Sequence, residues 1–277
     1  MIGAQFPGYQ VTPDGARAGL IIVHGIAEHG ARYRHAAAAL ASGGIASFVY
    51  DQRGHGEFPG PRTHVADFAA FARDLQLIGA EVQTRFPTLP LFVWGHSMGS
   101  VIATLAALEG LSWARGIVTT GCALDAMPKL DGAGGAVLRL ASALAPRVRI
   151  SLGIDASVLT QDLEEQRRHM SDPLVPRTAS LRLLYGFALA CRICRTNAGQ
   201  ITLPWLAVHG DADKVCPVSG SRALIDALGS RDKQLVIYPG LLHEVHNEDA
   251  DSRAAVFALM SRWILERSQG YTAPQVL

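Results

Sequence analysis

The chain is organised by one repeated arrangement: a short apolar run, then a turn rich in glycine, then a segment whose apolar residues recur at helical spacing. Such runs occur at residues 20–23, 46–50, 91–94, 116–119, 205–208 and 234–238. Each run is apolar throughout rather than alternating, which is typical of parallel strands covered by helices on both faces. The alternation predicts an α/β protein with a mostly parallel central sheet flanked by helices. Ligands are then expected beyond the carboxyl ends of the strands.

Helices are predicted between these runs. Apolar residues recur at helical spacing over residues 68–85, and Asp67 stands where its side chain can cap the first turn. The same spacing over residues 254–264 predicts a helix that follows the last strand.

The segment at 125–199 breaks the alternation. It carries no clear strand, only Ala/Leu/Arg-rich helical patterns separated by prolines. Both of its ends emerge at the strand ends where the other motifs converge. We therefore predict a helical cap, or lid, over residues 125–199, inserted between two late strands. The α/β core is then formed by residues 1–124 and 200–277, and a separate helical domain is the alternative.

Composition and charge exclude several classes of protein. Twenty-five Lys and Arg against 24 Asp and Glu give a net charge of +1, whereas nucleic-acid-binding proteins carry a basic face. No apolar run approaches the ~20 residues of a membrane-spanning helix. Residues 1–15 lack the basic start and apolar core of a signal peptide, so we expect a cytoplasmic location. The four cysteines have neither the spacing of a zinc site nor that of a disulfide framework.

A candidate nucleophile lies in the sequence Gly-His-Ser-Met-Gly at residues 95–99. This G-x-S-x-G pattern follows a predicted strand and precedes the apolar helical segment at 101–108. A direct turn from strand to helix strains the serine backbone, tolerates only small neighbours and projects the hydroxyl above the sheet. The context therefore favours Ser97 as a nucleophile over a simple turn of small residues.

A serine nucleophile needs a general base and a carboxylate that orients that base. Asp211 and Asp213 follow one predicted strand, and His243 and His246 follow the next. The order Ser, Asp, His is the one found in α/β-hydrolases. The residues alone do not choose within either pair. A metal-dependent hydrolase that uses these four side chains is an alternative.

Backbone N–H donors must stabilise the oxyanion that develops in such a reaction. One donor is expected from Met98, directly after the nucleophile. The other is expected from Ile26, in the turn after the strand at 20–23. Backbone donors place no demand on the side chain, so Ile and Met are acceptable here.

Five motifs together resemble the monoacylglycerol lipase group of the α/β-hydrolase superfamily, which includes bacterial lysophospholipases. They are His-Gly-Ile-Ala-Glu-His at 24–29, Asp-Gln-Arg-Gly-His-Gly at 51–56, the serine motif at 95–99, Gly-Asp-Ala-Asp at 210–213 and His-Glu-Val-His at 243–246. The resemblance extends over residues 20–264 and is thin across the predicted cap.

The resemblance implies roles for individual residues. It implies that Asp213 is the acid that orients the base and that His243 is the base. Glu28, Arg32 and His246 match positions that hold the glycerol end of the substrate in these lipases. A structural salt bridge between Glu28 and Arg32 is the alternative explanation for that pair.

The implied reaction is hydrolysis of a lipid or other small-molecule ester through an acyl-enzyme, with no metal or organic cofactor. An apolar underside of the cap would accept an acyl chain, and an apolar outer face could contact a membrane or micelle transiently. Lysophospholipase, general carboxylesterase and iminopeptidase activities are alternatives within enzymes. A non-catalytic ligand receptor on the same fold is the alternative from another class. The sequence does not specify an oligomeric state.

The chain departs from the family pattern in three places. Ala27 stands where a glycine is common, which bears on the conformation of the oxyanion loop, and Ser100 replaces another glycine. The stretch before Leu20 is short, so we expect it not to supply the usual first antiparallel strands and the sheet to be smaller than is typical.

Overall fold

The computed structural model describes residues 5–128 and 130–269. Its central feature is a seven-stranded sheet with the strand order β1-β3-β2-β4-β5-β8-β9. β1 runs antiparallel to β3, and every other neighbouring pair in this sheet is parallel. The strands are β1 Gly8–Val11, β2 Ala18–Val23, β3 Ile45–Tyr50, β4 Leu91–His96, β5 Ala114–Thr120, β6 Arg149–Ser151, β7 Thr178–Ser180, β8 Trp205–Gly210 and β9 Lys233–Tyr238.

Helices cover both faces of this sheet. The α-helices of the described residues, of which α4 and α5 belong to the insertion before β8, are α1 Arg34–Ser42, α2 Ala69–Arg85, α3 Met98–Glu109, α4 Gly132–Leu144, α5 Leu163–Ser171, α6 Leu181–Asn197, α7 Val218–Ala227 and α8 Ala250–Ser268. The predicted helix at 68–85 is confirmed as α2, and Asp67 accepts a hydrogen bond from the Ala69 N–H at 3.0 Å. The predicted helix at 254–264 is the central part of α8.

The apolar strands are buried because both faces of the sheet carry a hydrophobic layer. In β2, Ile21 and Val23 belong to the layer with α2, α3 and α6. Leu20 and Ile22, which alternate with them, belong to the layer with α1 and α8. All four side chains are fully buried. A continuous apolar run is therefore the pattern that a two-sided strand requires, and the predicted fold class is confirmed.

The N-terminal stretch does supply an antiparallel strand, contrary to the expectation drawn from its length. β1 pairs with β3, with Tyr9 opposite Val49. A Cβ on Gly8 would lie 2.9 Å from the Tyr50 Cα, so the close backbone approach requires glycine at this position. A strand of four residues that is only partly buried carries little hydrophobic signal, which is why the sequence did not reveal it.

The insertion, defined here as residues 121–204 between β5 and β8, contains α4, α5, α6 and an antiparallel pair formed by β6 and β7. The expectation that this region carries no strand is wrong for that pair, whose strands are three residues each. α6 packs into the core: Leu183, Phe187 and Cys194 are buried in the layer that contains α3. The division into a core and a cap at 125–199 stays a prediction.

Candidate active site

Ser97 occupies a strained turn between β4 and α3. Its backbone has φ 52° and ψ −119°, in the left-handed region that non-glycine residues rarely adopt. A Cβ on Gly95 would lie 2.9 Å from the Ser100 Cα, and a Cβ on Gly99 would lie 2.8 Å from the His24 carbonyl oxygen. Only glycine therefore fits at positions 95 and 99. The turn matches the predicted placement of Ser97 at a strand–helix junction.

Asp213 and His243 form a buried pair beyond the ends of β8 and β9. The Nδ1–H of His243 donates to Oδ2 of Asp213 at 2.7 Å, and both side chains are at most 4% exposed. Asp211 instead accepts a hydrogen bond from the Gly240 backbone N–H at 2.6 Å in an exposed turn. The geometry thus favours Asp213 over Asp211 as the partner of the imidazole.

The charge of this pair is set by opposing effects. Burial acts to raise the pKa of Asp213, but the N–H donors of His209 and His243 outweigh it and hold that pKa below its usual range. Burial acts to lower the pKa of His243, whereas Cys216 and the Asp213 carboxylate raise it well above its usual value. Each partner therefore stabilises the charged form of the other.

The imidazole of His243 has little room to move. Its ring centroid lies 4.8 Å from that of His96. On another side, a Cβ on Gly121 would lie 2.9 Å from Cε1 and 3.0 Å from Nδ1 of His243. Gly121 has φ 54° and directly follows β5, so the end of this strand shapes the seat of the imidazole.

Ser97 and His243 both line a cavity of about 430 Å³. The insertion supplies most of its apolar wall, with side chains that include Leu152, Leu159, Met170, Leu184 and Phe187. Glu28, Arg32, His169 and Glu244 lie close together in another part of the lining, which we call the polar end. An elongated substrate with one apolar and one polar end fits this division. A second cavity of about 380 Å³ between α2, α3 and α6 contains none of the predicted site residues.

The predicted oxyanion donors belong to two segments that adjoin Ser97. Ile26 lines the cavity, and a Cβ on the preceding Gly25 would lie 3.0 Å from the Ser97 Cβ. Met98 is the first residue of α3, where the N–H groups of the first turn have no partner within the helix. Ala27 has φ 55°, the conformation in which a glycine carries no steric cost. The oxyanion loop therefore adopts its turn with an alanine under strain.

Glu28 and Arg32 form the salt bridge that was the alternative explanation for them. Their side chains approach to 3.1 Å, and Arg32 also donates two hydrogen bonds of 2.8 Å to the carboxylate of Glu244. Glu28 accepts further hydrogen bonds from the Gly25 N–H and the Tyr33 hydroxyl. Glu28 and Arg32 still line the polar end of the cavity. Their contact with a substrate stays a prediction.

This buried cluster holds two carboxylates around one guanidinium. Burial would raise the pKa of Glu244, but Arg32 outweighs it and holds that pKa well below the usual range. Burial raises the pKa of Glu28, and Arg32 only partly offsets this effect. Glu244 is thus the charged partner, and Glu28 is the carboxyl that takes up a proton more readily.

His246 does not reach the cavity. Its ring stacks on Tyr33 with centroids 5.2 Å apart, and it packs edge-on against Trp94 at 5.1 Å and His96 at 4.7 Å. Burial lowers the pKa of His246 to about 3, so the ring is neutral. The expectation that His246 contacts the substrate is not met by this geometry, because the ring is packed against Tyr33, Trp94 and His96.

Three residues of the site were not identified from the sequence. Glu244 was part of a motif, but no signal showed that it pairs with Arg32, 212 positions away. His209, which contacts Asp213 at 3.0 Å, is a polar residue in an otherwise apolar strand, and that contrast is the signal that could have found it. Gly121 follows a buried strand, as many turn glycines do.

The described ranges contain neither a cluster of metal-ligating side chains nor a membrane-spanning helix. Within residues 5–128 and 130–269, no group of three or more His, Cys, Asp or Glu side chains is arranged to hold a metal ion. In the same part of the chain, each helix is too short or too polar to cross a bilayer.

Comparisons with known proteins agree with this geometry. A family model described as serine aminopeptidase, S33, matches residues 14–250. The chain is 34% identical to a monoacylglycerol lipase of Mycolicibacterium smegmatis over 86% of this chain and 85% of that protein. It is 34% identical to a monoglyceride lipase of Homo sapiens over 92% of this chain and 85% of that protein.

A solved structure extends the likeness to the fold. A soluble variant of monoglyceride lipase from Saccharomyces cerevisiae, in complex with a substrate analog, superposes with a TM-score of 0.82 at 26% identity, and the match covers 96% of this chain and 93% of that one. The resemblance drawn from the motifs is confirmed. The chain therefore belongs to the serine aminopeptidase S33 family of α/β-hydrolases, and it is a serine hydrolase of the monoacylglycerol lipase type.

Proposed function

We propose that this protein hydrolyses monoacylglycerols to a fatty acid and glycerol through an acyl-enzyme on Ser97. One observation carries the proposal: Ser97 is strained at a strand–helix turn on the wall of the cavity that also presents His243, whose Nδ1–H bonds Asp213 at 2.7 Å. The names of the similar relatives support a glyceryl ester as substrate.

In the first half of the reaction, the Ser97 Oγ attacks the ester carbonyl carbon while Nε2 of His243 takes the hydroxyl proton. Asp213 holds the proton on Nδ1 and stabilises the imidazolium that forms. The N–H groups of Ile26 and Met98 stabilise the negative charge on the carbonyl oxygen. The bond to glycerol then breaks, and His243 donates its proton to the departing oxygen.

In the second half, water takes the place of the alcohol. His243 removes a proton from the water as its oxygen attacks the acyl carbon, and it returns the proton to the Ser97 Oγ when the fatty acid leaves. The apolar wall of the insertion supports this assignment because it can cover an acyl chain. The polar end suits glycerol, since Glu28 and Arg32 present hydrogen-bonding groups there.

The nucleophile is tested with Ser97→Ala. We expect a loss of kcat of several orders of magnitude with an unchanged thermal unfolding temperature, and a loss of labelling by a fluorophosphonate probe. Ser100→Ala is the matched control because it removes another buried hydroxyl three residues away, and it should lower kcat less than tenfold. Near-native hydrolysis by Ser97→Ala, or failure of the native protein to react with the probe, would contradict the proposal.

The substrate class is tested with a panel at fixed pH. We expect kcat/KM to be higher for monoacylglycerols with long acyl chains than for lysophospholipids, acetyl esters or aminoacyl arylamides. A chain-length series that peaks at two carbons would favour a general carboxylesterase. A preference for the arylamides would favour a peptidase.

We also infer that the outer face of the insertion contacts membranes or micelles transiently. Val137, Leu140 and Leu144 lie at helical spacing on α4 and are 67%, 59% and 77% exposed, which is unusual for side chains of this size. The double variant Leu140→Asp with Leu144→Asp should bind phospholipid vesicles less tightly in co-sedimentation. Hydrolysis of a dissolved short-chain ester should be unchanged.

Leu77, on α2 in the core, is the matched control for this inference because it is 63% exposed. Leu77→Asp should leave vesicle binding as in the native protein. Equal losses of binding in the Leu77 variant and the double variant would contradict a specific contact through α4.

A further inference from the structure

His209 is a buried polar side chain at the end of β8, next to Asp213, the carboxylate proposed to orient His243. It is fully buried. Its Nδ1 lies 2.7 Å from the Ser221 Oγ. Its Nε2 lies 3.0 Å from both Oδ2 of Asp213 and the carbonyl oxygen of Cys216.

These neighbours determine which ring nitrogen of His209 carries a proton. A carboxylate oxygen and a carbonyl oxygen can only accept, so Nε2 must be the N–H donor toward both. The Ser221 hydroxyl can donate to an unprotonated Nδ1. Ser221 therefore favours the tautomer of His209 whose proton is on Nε2, the nitrogen that faces Asp213. The hydrogen bond made by one ring nitrogen commonly fixes the tautomer of a functional histidine in this way.

The donors divide unequally between the two oxygens of Asp213. Oδ1 accepts the backbone N–H groups of Val215 and Cys216 at 2.8 and 2.9 Å, which fixes the carboxylate in the loop after β8. Oδ2 accepts from His243 at 2.7 Å and from His209 at 3.0 Å. Two imidazoles therefore share one carboxylate oxygen. The hydrogen bond from each imidazole weakens the hydrogen bond from the other.

We propose that His209 is a positioning residue that tunes the general base: its N–H competes with His243 for Oδ2 of Asp213 and so limits how strongly the carboxylate stabilises the imidazolium. The inference rests on the proposed roles of Ser97, Asp213 and His243. A base that is held too firmly in its charged form cannot take the serine proton near neutral pH. Sharing Oδ2 with His209 therefore favours the neutral form of His243, compared with an Oδ2 that His243 holds alone.

Other titratable groups also face His243, and the test leaves them unchanged. Cys216 lies in the same loop as Asp213, and His96 faces the ring from β4 at 4.8 Å. On the loop of His243 itself, Glu244 and His246 follow in sequence. Because none of these groups is altered in a variant of His209, a change in the pH profile would report the competition at Oδ2.

The experiment compares the acid limb of the kcat/KM profile in His209→Leu and His209→Gln. Leucine removes the donor, and we expect the limb to move to higher pH by about 0.5 to 1 unit, the size of one ordinary hydrogen bond. At a pH below the limb, this shift lowers kcat/KM roughly three- to tenfold. Glutamine can place an N–H near the position of Nε2, so it should restore most of the native profile.

An unchanged profile in His209→Leu, or a shift to lower pH, would overturn the inference. A merely structural role would lower thermal stability without moving the acid limb to higher pH. If the leucine variant does not fold, Ser221→Ala carries the test. Loss of the partner of His209 Nδ1 should move the acid limb to higher pH by a smaller amount. It should also move the His243 Nδ1–H resonance to lower field in proton NMR. No change in either measurement would overturn it. Activity that survives Ser97→Ala would instead show that the proposed function itself is wrong.

Discussion

Gly121 offers a sharp test of how tightly the imidazole of His243 is seated. In Gly121→Ala the new methyl group would lie 2.9 Å from Cε1 and 3.0 Å from Nδ1 of His243. Carbon atoms prefer about 3.5–4 Å, so the ring must retreat by about 0.6 Å or more. It is held by Asp213 at 2.7 Å and faces His96 at 4.8 Å. The retreat therefore lengthens the bond to the carboxylate or turns the ring away from Ser97.

The expected magnitude follows from this displacement. A misplacement of about 1 Å in a reacting group can cost ~100-fold in rate, so we expect kcat/KM to fall roughly 10- to 100-fold, mostly in kcat. The positive φ of residue 121 adds about 1–2 kcal/mol of strain to the folded state when a Cβ is present. Initial rates on a soluble ester and urea unfolding would measure the two effects separately.

Gly15→Ala is the matched control. Gly15 also has a positive φ, of 67°, but a Cβ there would meet nothing within 4 Å. The control should show the backbone strain as a loss of stability and keep native kinetics. Native kcat/KM in Gly121→Ala would refute the idea that this glycine shapes the seat of the imidazole.

Three further changes test the charges of the structure. Arg32→Leu leaves buried carboxylates without their cation, so the free energy of unfolding in urea should fall by about 3–5 kcal/mol; a loss below 1 kcal/mol would contradict the buried cluster. Asp213→Asn should lower kcat roughly 10⁴-fold. It should also move the acid limb of the pH–rate profile to lower pH, since the carboxylate that raises the pKa of His243 is gone. Burial lowers the pKa of His24 and of His55 to about 3 in the folded state. Below pH 6.5 the unfolded chain therefore binds more protons at these two histidines than the folded chain does. The free energy of unfolding should then fall by about 2 kcal/mol for each histidine between pH 6.5 and 5, and a flat curve in urea titrations at these pH values would contradict their burial as neutral rings.

Much of the fold was predictable because its strands are covered on both sides. Trp205 and Ala207 face one apolar layer, and Leu206 and Val208 face the other, so the run at 205–208 is apolar throughout. α1 was not predicted, since alanines supply most of its apolar residues and Leu40 is its one large aliphatic side chain. β6 and β7 were missed because strands of three residues are too short for a periodic pattern.

The site was predictable only where the chemistry is local in the sequence. Ser97 could be identified as a candidate from the glycines at 95 and 99, which lie in the same turn. The choice of Asp213 over Asp211 needed the family resemblance, since both follow the same strand. His243 and His246 share one loop, and packing against Trp94 decides which imidazole is withdrawn from the cavity. The spacing of residues in the sequence does not predict that packing.

Arg32 joins two loops that are far apart in the chain. Through Glu28 it is tied to the loop that carries the Ile26 amide, and through Glu244 it is tied to the residue next to His243. One guanidinium thus links the loop of the proposed oxyanion donor Ile26 to the loop of the proposed base His243. A chimera that takes either loop from a relative must take the other loop as well, because a mismatched pair would leave a buried charged side chain without its partner.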